Sequence, residues 1–294
     1  MTPLLRTEAG PLSWRDYGGA GATLVLVHGL GGSVANWELI GPRLAESRRV
    51  VALDLPGFGH SPPARDWSLQ THAEAVRAFA VEFADSVTLV GNSLGGLLCE
   101  MVASSDPGVV EGLVLISPAT PPRLPDDKIH WPTARRLLIQ ATPGLGLAAN
   151  RLLIERHDAE ELVKLTLSSV VHKPANIPIE LIDEFIALAE ARRKMPWAVE
   201  AVPKTATSIA KLFTRPRHFV SMLRRISAPT LVVHGVEDRL VSPTSVEWMC
   251  SLRPDWEFVQ MTDTGHTPQL DVPVRLLQVM EPWLAAPLKN EIGV

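Results

Sequence analysis

The sequence predicts an α/β protein in which one mostly parallel sheet is covered by helices and interrupted by a helical insertion. Short apolar runs rich in β-branched residues alternate with helical segments in the first third of the chain. The alternation stops at Pro118 and resumes at Pro229. Because these runs lack a polar face, the strands are expected to be buried on both sides, which is typical of parallel sheets.

Four strands are predicted before the insertion and two after it, each bounded by turn residues such as Gly or Pro. The strands cover residues 23–28, 50–54, 86–91, 111–117, 229–235 and 256–261. The helices that alternate with them cover residues 69–85, 94–104, 242–252 and 272–284. Helical segments therefore connect the second strand to the third, the third to the fourth and the fifth to the sixth, as parallel pairing requires.

The insertion reads as several helices separated by prolines, with no convincing strand. Its clearest helix, residues 178–194, has Pro near the first turn and acidic residues early, and it ends in Arg192-Arg193-Lys194. We interpret this basic run as a solvated helix end at the negative pole of the helix dipole. Asp158 and Glu161 have the spacing of a capping box at the start of another helix.

These boundaries divide the chain into two parts of one core and a cap. The core is expected to comprise residues 1–118 and 228–294, and the helical cap residues 119–227. A chain of 294 residues is long enough for one large catalytic domain with an inserted lid.

Composition excludes several classes of protein. With 46% hydrophobic and 20% charged residues, the chain is an ordinary globular protein and not a disordered one. A net charge of −4 without a concentrated basic face argues against nucleic-acid binding. The sequence has no apolar stretch long enough to predict stable membrane insertion. The N-terminus lacks the apolar region of a secretory signal. Cys99 and Cys250 form neither a disulfide framework nor a zinc pattern, so a cytoplasmic location is expected.

The strongest chemical signal is the sequence Gly91-Asn92-Ser93-Leu94-Gly95-Gly96, which matches G-x-S-x-G between a predicted strand and a predicted helix. A strand-to-helix turn this tight strains the serine backbone and leaves no room for side chains two positions away. The turn also exposes the serine oxygen at the positive end of the helix. Ser93 is therefore the predicted nucleophile.

A serine needs a base, and the base needs an acid that orients it. His266 follows the last predicted strand, so it is expected at the same sheet edge as Ser93. Asp238 follows the strand before it, and the order Ser, Asp, His is the one this arrangement requires. Glu237 is the adjacent alternative to Asp238, with Asp126 and Asp127 as weaker ones.

An oxyanion hole is predicted from a second glycine-rich turn, His28-Gly-Leu-Gly-Gly-Ser33, directly after the first of these apolar strands. Its donors are expected to be the backbone N–H groups of Leu30 and Leu94, with Gly31 as the alternative to Leu30. The residues assigned to substrate binding are Gly29, Gly31, Asn92 and Trp197.

Together these residues resemble the α/β-hydrolase superfamily, in particular its cap-bearing bacterial esterases and lipases. The matching motifs run in the family's order over most of the chain: Arg15-Asp-Tyr-Gly-Gly19, His28-Gly-Leu-Gly-Gly32, Asp54-Leu-Pro-Gly-Phe-Gly-His-Ser61, Gly91-Asn-Ser-Leu-Gly-Gly96, Gly235-Val-Glu-Asp238 and Gly265-His266. The resemblance implies an eight-stranded, mostly parallel sheet with a lid after the sixth strand, and neither a metal nor an organic cofactor.

The reaction remains open within the superfamily. Serine at position 93 argues against haloalkane dehalogenases and epoxide hydrolases, which use aspartate there. Epoxide hydrolases also use tyrosines of the cap, and the only tyrosine of this chain, Tyr17, lies outside the cap. The Asn92-Ser93 pair also resembles hydrolases that cleave C–C bonds in aromatic ring-fission products. Those usually carry an aromatic residue just after the histidine, where this chain has Thr267-Pro268-Gln269.

An apolar cap favours a small-molecule ester with an apolar acyl or aromatic group, cleaved through an acyl-enzyme. Thioesterases, lactonases and cofactor-free perhydrolases share the same triad and stay open as alternatives. A non-catalytic ligand receptor of this fold would be expected to have a broken triad. The sequence does not indicate an oligomeric state.

Overall fold

The computed structural model describes residues 4–123 and 130–286. One sheet contains eight strands: β1 (Leu4–Thr7), β2 (Gly10–Gly18), β3 (Thr23–Val27), β4 (Arg49–Leu53), β5 (Val87–Asn92), β6 (Val110–Ile116), β7 (Thr230–Gly235) and β8 (Glu257–Met261). The α-helices of the described residues are α1 (Gly41–Leu44), α2 (Leu69–Ala80), α3 (Leu94–Ser105), α4 (Trp131–Ala141), α5 (Leu145–Arg156), α6 (Ala159–Val170), α7 (Ile179–Arg193), α8 (Ala198–Phe213), α9 (Pro216–Arg224), α10 (Pro243–Ser251), α11 (Pro268–Asp271) and α12 (Pro273–Ala285).

The strand order is β1-β2-β4-β3-β5-β6-β7-β8, and only the pairs that involve β2 are antiparallel. The remaining pairs are parallel, with β3, β5, β6 and β7 in the centre of the sheet. This confirms the predicted fold class, an eight-stranded and mostly parallel sheet. The sequence analysis missed β1 and β2, because their half-exposed residues lack the continuous apolar run of a central strand.

The two faces of the sheet bury separate apolar clusters. On one face, Leu97 and Leu98 of α3 pack with Val76 and Phe79 of α2. On the other, Leu276 of α12 packs with side chains such as Trp37 and Leu44. The parallel strands β3, β5 and β7 are buried along their whole length, since helices cover both sides.

Helices α4 to α9 are inserted between β6 and β7, and this helical insertion is called the cap below. The predicted capping box forms at the start of α6, where Asp158 Oδ1 accepts from Glu161 N at 2.8 Å and Glu161 Oε2 accepts from Asp158 N at 3.2 Å. A small apolar cluster joins this cap to the core through Leu270 of α11 and residues of α6 and α7 such as Val163 and Leu181.

The basic run at the end of α7 is not wholly solvated, as the sequence analysis had assumed. Arg192 is half-buried, and its guanidinium carbon lies 5.4 Å from the ring centre of Phe58, above the ring. Its Nη1 donates to Gly31 O at 3.4 Å. The prediction was wrong for Arg192 because cation–π stacking across the cap–core contact cannot be seen in local sequence.

Within the described ranges, no single helix is long and apolar enough to cross a membrane. Only α4 and α5 taken together meet that test, and they are bent by 111° relative to each other.

A buried histidine lies where the cap meets the core. His72 of α2 is fully buried, with Nε2 lying 3.3 Å from Thr205 Oγ1 of α8. Burial lowers the pKa of His72 to about 4 from its ordinary value of 6.5, so the imidazole is neutral in the folded protein.

This gives a first prediction about stability. His72 binds a proton near pH 6.5 in the unfolded chain and only near pH 4 in the folded one. The contribution of His72 to the free energy of unfolding is therefore fully present above pH 6.5, and about 3 kcal/mol of it is lost as the pH falls toward 4. Urea unfolding between these pH values should give a shallower loss of stability for His72→Gln than for the wild type. Identical slopes would contradict the assignment.

Candidate active site

Ser93 occupies the turn between β5 and α3 in a strained conformation. Its φ of 55° and ψ of −116° lie in a region that residues with a side chain rarely adopt, and this costs roughly 1–3 kcal/mol. A Cβ on Gly91 would lie 2.5 Å from the carbonyl carbon of Gly95. The two glycines therefore allow the close packing that this turn requires, and Ser93 stays half-exposed while its neighbours are buried.

A test of this turn is the substitution Gly95→Ala. A Cβ at this position would overlap the backbone oxygen of Val27 and lie 2.7 Å from that of His28. Because both obstacles are backbone atoms of the adjacent strand and loop, we expect a loss of about 3 kcal/mol or more in unfolding free energy. Gly108→Ala is the matched control, since its Cβ would meet only Asp106 Oδ1, at 3.8 Å. Equal stability of the two variants would contradict the packing described.

His266 and Asp238 form a buried pair. His266 Nδ1 lies 2.7 Å from Asp238 Oδ2, and both side chains are almost fully buried. Asp238 Oδ1 accepts from the N–H groups of Leu240 and Val241, at 2.8 and 3.0 Å. Burial alone would raise the pKa of Asp238, but the charge and hydrogen bond of His266 outweigh it and hold the pKa below its ordinary value. Asp238 is therefore a carboxylate that fixes the Nδ1–H tautomer of His266.

Asn92 connects this pair to the Ser93 turn. Its Nδ2 donates to His266 O at 3.1 Å and to Ile116 O at 3.0 Å. The sequence analysis assigned Asn92 to substrate binding, but its side chain is buried and its amide hydrogens are used by these two carbonyls. Its assignment to substrate binding stays a prediction, and the two hydrogen bonds join the histidine loop to the strand ends beside the serine turn.

The hydroxyl of Ser93 and the imidazole of His266 make no hydrogen bond with each other in this structure. Among the described residues, no hydrogen bond joins Ser93 Oγ to His266, whose Nδ1 is already occupied by Asp238. Nε2 is the nitrogen left for Ser93. In enzymes without substrate this contact is often long and shortens only when a ligand binds.

The glycine-rich loop after β3 lies directly against Ser93. A Cβ on Gly29 would lie 3.2 Å from Ser93 Cβ and 3.3 Å from Asn92 O. His28 anchors the loop from below, since its Nε2 accepts from Leu55 N at 3.0 Å and its Nδ1 donates to Gly29 O at 2.7 Å. Gly29 is thus placed where only a glycine fits without a shift of the serine turn.

Two backbone donors of this region are unused. In the described parts of the chain, neither Leu30 N nor Leu94 N makes a hydrogen bond, although their neighbour Gly32 N donates to Gly29 O at 3.0 Å. Gly31 has a φ of +79°, which a residue with a side chain would adopt only with strain. Leu30 and Leu94 therefore have N–H groups available for an anionic oxygen next to Ser93.

The cap covers this loop from the other side. Val202 Cγ2 of α8 lies 3.8 Å from the position of a Cβ on Gly31, and Arg192 contacts the carbonyl of the same glycine. Trp197 is the N-cap residue of α8, and its Nε1 is buried without a hydrogen-bond partner among the described residues. Its assignment to substrate binding stays a prediction.

Glu237, the adjacent alternative to Asp238, makes different contacts. Glu237 Oε2 accepts from Thr264 N at 2.8 Å, and Glu237 N donates to Thr264 O at 3.0 Å, so this side chain supports the histidine loop and does not contact the imidazole. Asp126 and Asp127 lie outside the described residues.

The sequence analysis missed a carboxylate that binds the histidine loop to the cap. Asp271 Oδ2 accepts from Gly265 N at 2.8 Å, and Oδ1 accepts from His172 N and Lys173 N at 2.8 and 3.0 Å. In addition, His266 N donates to Val170 O at 2.9 Å. The end of α6 is therefore fixed to the loop that carries His266. No sequence signal links residue 271 to residues about a hundred positions earlier.

A second residue missed from the sequence is His234 of β7. It is fully buried, and its Nε2 lies 3.7 Å from Asp238 Oδ2, on the carboxylate oxygen that His266 also contacts. Burial lowers the pKa of His234, which keeps this second imidazole neutral beside the carboxylate.

Comparison with known proteins identifies the family. A family model described as the alpha/beta hydrolase fold matches residues 22–273, which is most of the chain. The chain belongs to the α/β-hydrolase fold family. Its members include hydrolases, and the order of Ser93, Asp238 and His266 follows the arrangement of that fold.

Individual proteins similar to this chain include a methyl ester esterase and a semialdehyde hydrolase. The pimeloyl-[acyl-carrier protein] methyl ester esterase of Aeromonas hydrophila subsp. hydrophila is 28% identical over 265 residues, covering 90% of this chain and 95% of its own. The 2-hydroxymuconate semialdehyde hydrolase of Pseudomonas sp. (strain CF600) is 29% identical over 281 residues, covering 91% and 88%.

Among solved structures, a thermophilic esterase from Thermogutta terrifontis superposes with a TM-score of 0.70 at 22% identity, covering 97% of this chain and 98% of its own. This likeness supports the α/β-hydrolase fold. The relatives together support a hydrolase, and their names give different substrates.

Proposed function

We propose that the protein is a serine carboxylesterase that cleaves small-molecule esters with an apolar acyl or aromatic group, using Ser93, His266 and Asp238. The observation that carries the proposal is the 2.7 Å contact between His266 Nδ1 and Asp238 Oδ2, which Asn92 holds against the strained Ser93 turn. A buried carboxylate–imidazole pair next to a half-exposed, strained serine is the arrangement that activates a hydroxyl nucleophile.

The proposed reaction begins when His266 Nε2 takes the proton of Ser93 as Oγ attacks the ester carbonyl. Asp238, held as a carboxylate, stabilises the imidazolium that forms. His266 then protonates the leaving alkoxide, which leaves as an alcohol, and the acyl group remains on Ser93. Water attacks this acyl-enzyme with His266 again acting as base, and the acid is released.

The negative charge on the carbonyl oxygen would be stabilised by the unused N–H groups of Leu30 and Leu94. Losing one such donor typically costs about 3 kcal/mol of transition-state stabilisation. The fixed loop supports this role, since the His28 ring bonds hold its backbone before substrate arrives. Gly29 and Gly31 would allow the substrate carbonyl to approach this backbone closely.

The preference for an apolar group rests on the cap surface above the loop. Val202 lies over Gly31, and Leu30 is a partly buried apolar side chain next to it. The similarity to a methyl ester esterase also favours an ester substrate.

Cleavage of a C–C bond is the second candidate, favoured by the 29% identity to 2-hydroxymuconate semialdehyde hydrolase over most of both chains. The same three residues could serve it. Against it stands Thr267-Pro268-Gln269 after His266, where the C–C hydrolases that the sequence resembles usually carry an aromatic residue.

The experiment that tests the proposal measures kcat/KM for a chromogenic ester series of rising acyl length, beside an acyl thioester and a vinylogous diketone acid. We expect turnover of the esters, with a burst of alcohol or phenol before the steady state. Preference for the diketone would replace the esterase assignment with the C–C hydrolase. Preference for the thioester would make the protein a thioesterase, and no turnover of any of them would refute the proposal.

A further inference from the structure

Helices α4 and α5 of the cap carry several large apolar residues on their outer side. The residues that these two helices bury fully are Gln140, Gly146 and Asn150, while apolar residues such as Ile139 and Leu153 are half-buried. In contrast, Trp131, Leu138, Leu145 and Leu152 expose 69%, 65%, 53% and 44% of their surface. Surface helices of globular proteins normally turn such residues toward the core, so the outer apolar residues of this pair need an explanation.

Exposed apolar side chains are concentrated on this pair of helices. Five of the eleven large hydrophobic side chains that are exposed in the described chain lie on α4 and α5, the fifth being Leu137. A concentration of exposed apolar side chains on two consecutive helices is typical of an interaction surface.

Polar contacts on the inner side fix the pair in this orientation. Asn150 Nδ2 donates to Val199 O at 2.9 Å, at the start of α8. Thr207 Oγ1, also of α8, donates to Ala141 O at 3.0 Å. A Cβ on Gly146 would overlap Gln140 O, so the two helices approach closely at their junction. The pair cannot turn its leucines inward without breaking these bonds.

The charge of the same surface is positive. The pair exposes four arginines and one acidic residue, Glu155, while the whole chain carries a net charge of −4. The arginines are Arg135, Arg136, Arg151 and Arg156. Of these, Arg136 donates to Ser169 Oγ at 3.2 Å, and the other three make no ion pair or hydrogen bond with any residue the structure describes. Their charge is therefore available to a partner.

We propose that α4 and α5 form a docking surface for an anionic lipid membrane, on which they lie flat. An exposed apolar stripe containing a Trp, flanked by unpaired arginines, is the pattern of a helix that rests in the headgroup region. Each arginine near a negatively charged leaflet adds attraction of the order of the thermal energy or more. The 111° bend between the helices fits a pair that lies on the surface and does not cross it.

Docking would hold the cap at the membrane surface, and neither helix would cross the membrane. The pair packs on α8, whose Val202 covers the candidate oxyanion loop, so a lipid-soluble ester would reach the protein next to Ser93. The docking surface does not depend on the proposed esterase activity, because its test measures binding alone.

The experiment is cosedimentation of the full chain with vesicles of phosphatidylcholine, with and without phosphatidylglycerol. We expect binding to the anionic vesicles that weakens as salt is added. The double variant Leu138→Gln/Leu145→Gln should weaken partitioning about tenfold or more, because each leucine loses apolar contact with the lipid. The variant Arg135→Glu/Arg151→Glu should remove the preference for phosphatidylglycerol.

Val274→Gln is the matched control, since Val274 of α12 is 67% exposed but lies outside the pair, and its binding should equal that of the wild type. Equal binding of all variants, or no binding to either vesicle, would overturn the proposal. So would a dimer in light scattering that Leu138→Gln/Leu145→Gln dissociates, because a second copy of the chain would then be the occupant of this surface.

Discussion

Replacing Ser93 with alanine is expected to lower kcat for ester hydrolysis by about 10⁶-fold. Without Oγ no acyl-enzyme can form, and what remains is the rate that the oxyanion donors and substrate binding give to direct attack by water. Because Ser93 is half-exposed and its backbone does the positioning, the variant should fold and still bind a substrate analogue. The measurement is steady-state hydrolysis of the best ester of the series, with binding followed separately.

The matched control for this prediction is Ser105→Ala. Ser105 ends the helix that Ser93 begins, and its Oγ donates to Met101 O at 2.9 Å, far from the turn. Its kcat should stay within about twofold of the wild type. Retention of activity in Ser93→Ala would mean that another residue is the nucleophile, while loss of both activity and ligand binding would indicate that the turn itself had collapsed.

The second large effect is expected for Asp238→Asn, about 10⁴-fold in kcat with little change in KM. The side-chain oxygen of Asn can still accept the hydrogen bonds that Leu240 N and Val241 N donate to Asp238 Oδ1, so the loop after β7 should hold its shape. What the variant loses is the negative charge that orients His266 Nδ1–H and stabilises the imidazolium. The expected signature is therefore a fall in kcat at nearly constant stability and affinity.

Glu237→Gln provides the control for Asp238, because the two residues are adjacent and both are acidic. Glu237 contacts the backbone of Thr264 and not the imidazole, so its neutral variant should lose far less activity. If Glu237→Gln were as inactive as Asp238→Asn, the assignment of the acid would be wrong.

The parts of the candidate site that could be predicted from the sequence are those determined by local backbone geometry. Gly91 and Gly95 flank Ser93 because only glycines fit so tight a turn, and such a requirement leaves a readable pattern. The positions of His266 and Asp238 followed from the strands before them, since the carboxyl ends of parallel strands meet at one edge of the sheet.

Contacts that cross between cap and core could not be predicted. Asp271 binds backbone N–H groups of residues 172 and 173, and any carboxylate at the end of a short helix could have been solvent-exposed instead. Arg192 looked like an ordinary helix end until the fold placed it over Phe58. The contact of Asn92 with His266 O lies within the core and could not be predicted either, because the two residues are 174 positions apart.

The exposed apolar surface of α4 and α5 could not be predicted either. Leu138, Leu145 and Leu152 lie in apolar helical segments, and local sequence does not show which of their faces is exposed. Which side of a helix is buried depends on what it packs against, here the polar contacts to α8.

The most direct test of the central claim, that Ser93 is activated by the His266–Asp238 pair, is labelling with a fluorophosphonate followed by peptide mapping in a mass spectrometer. We expect one covalent adduct on the Oγ of Ser93 in the wild type. We expect labelling of Ser93 to slow by orders of magnitude in His266→Ala and Asp238→Asn. An adduct on a different residue, or labelling of Ser93 at an unchanged rate without His266, would contradict it.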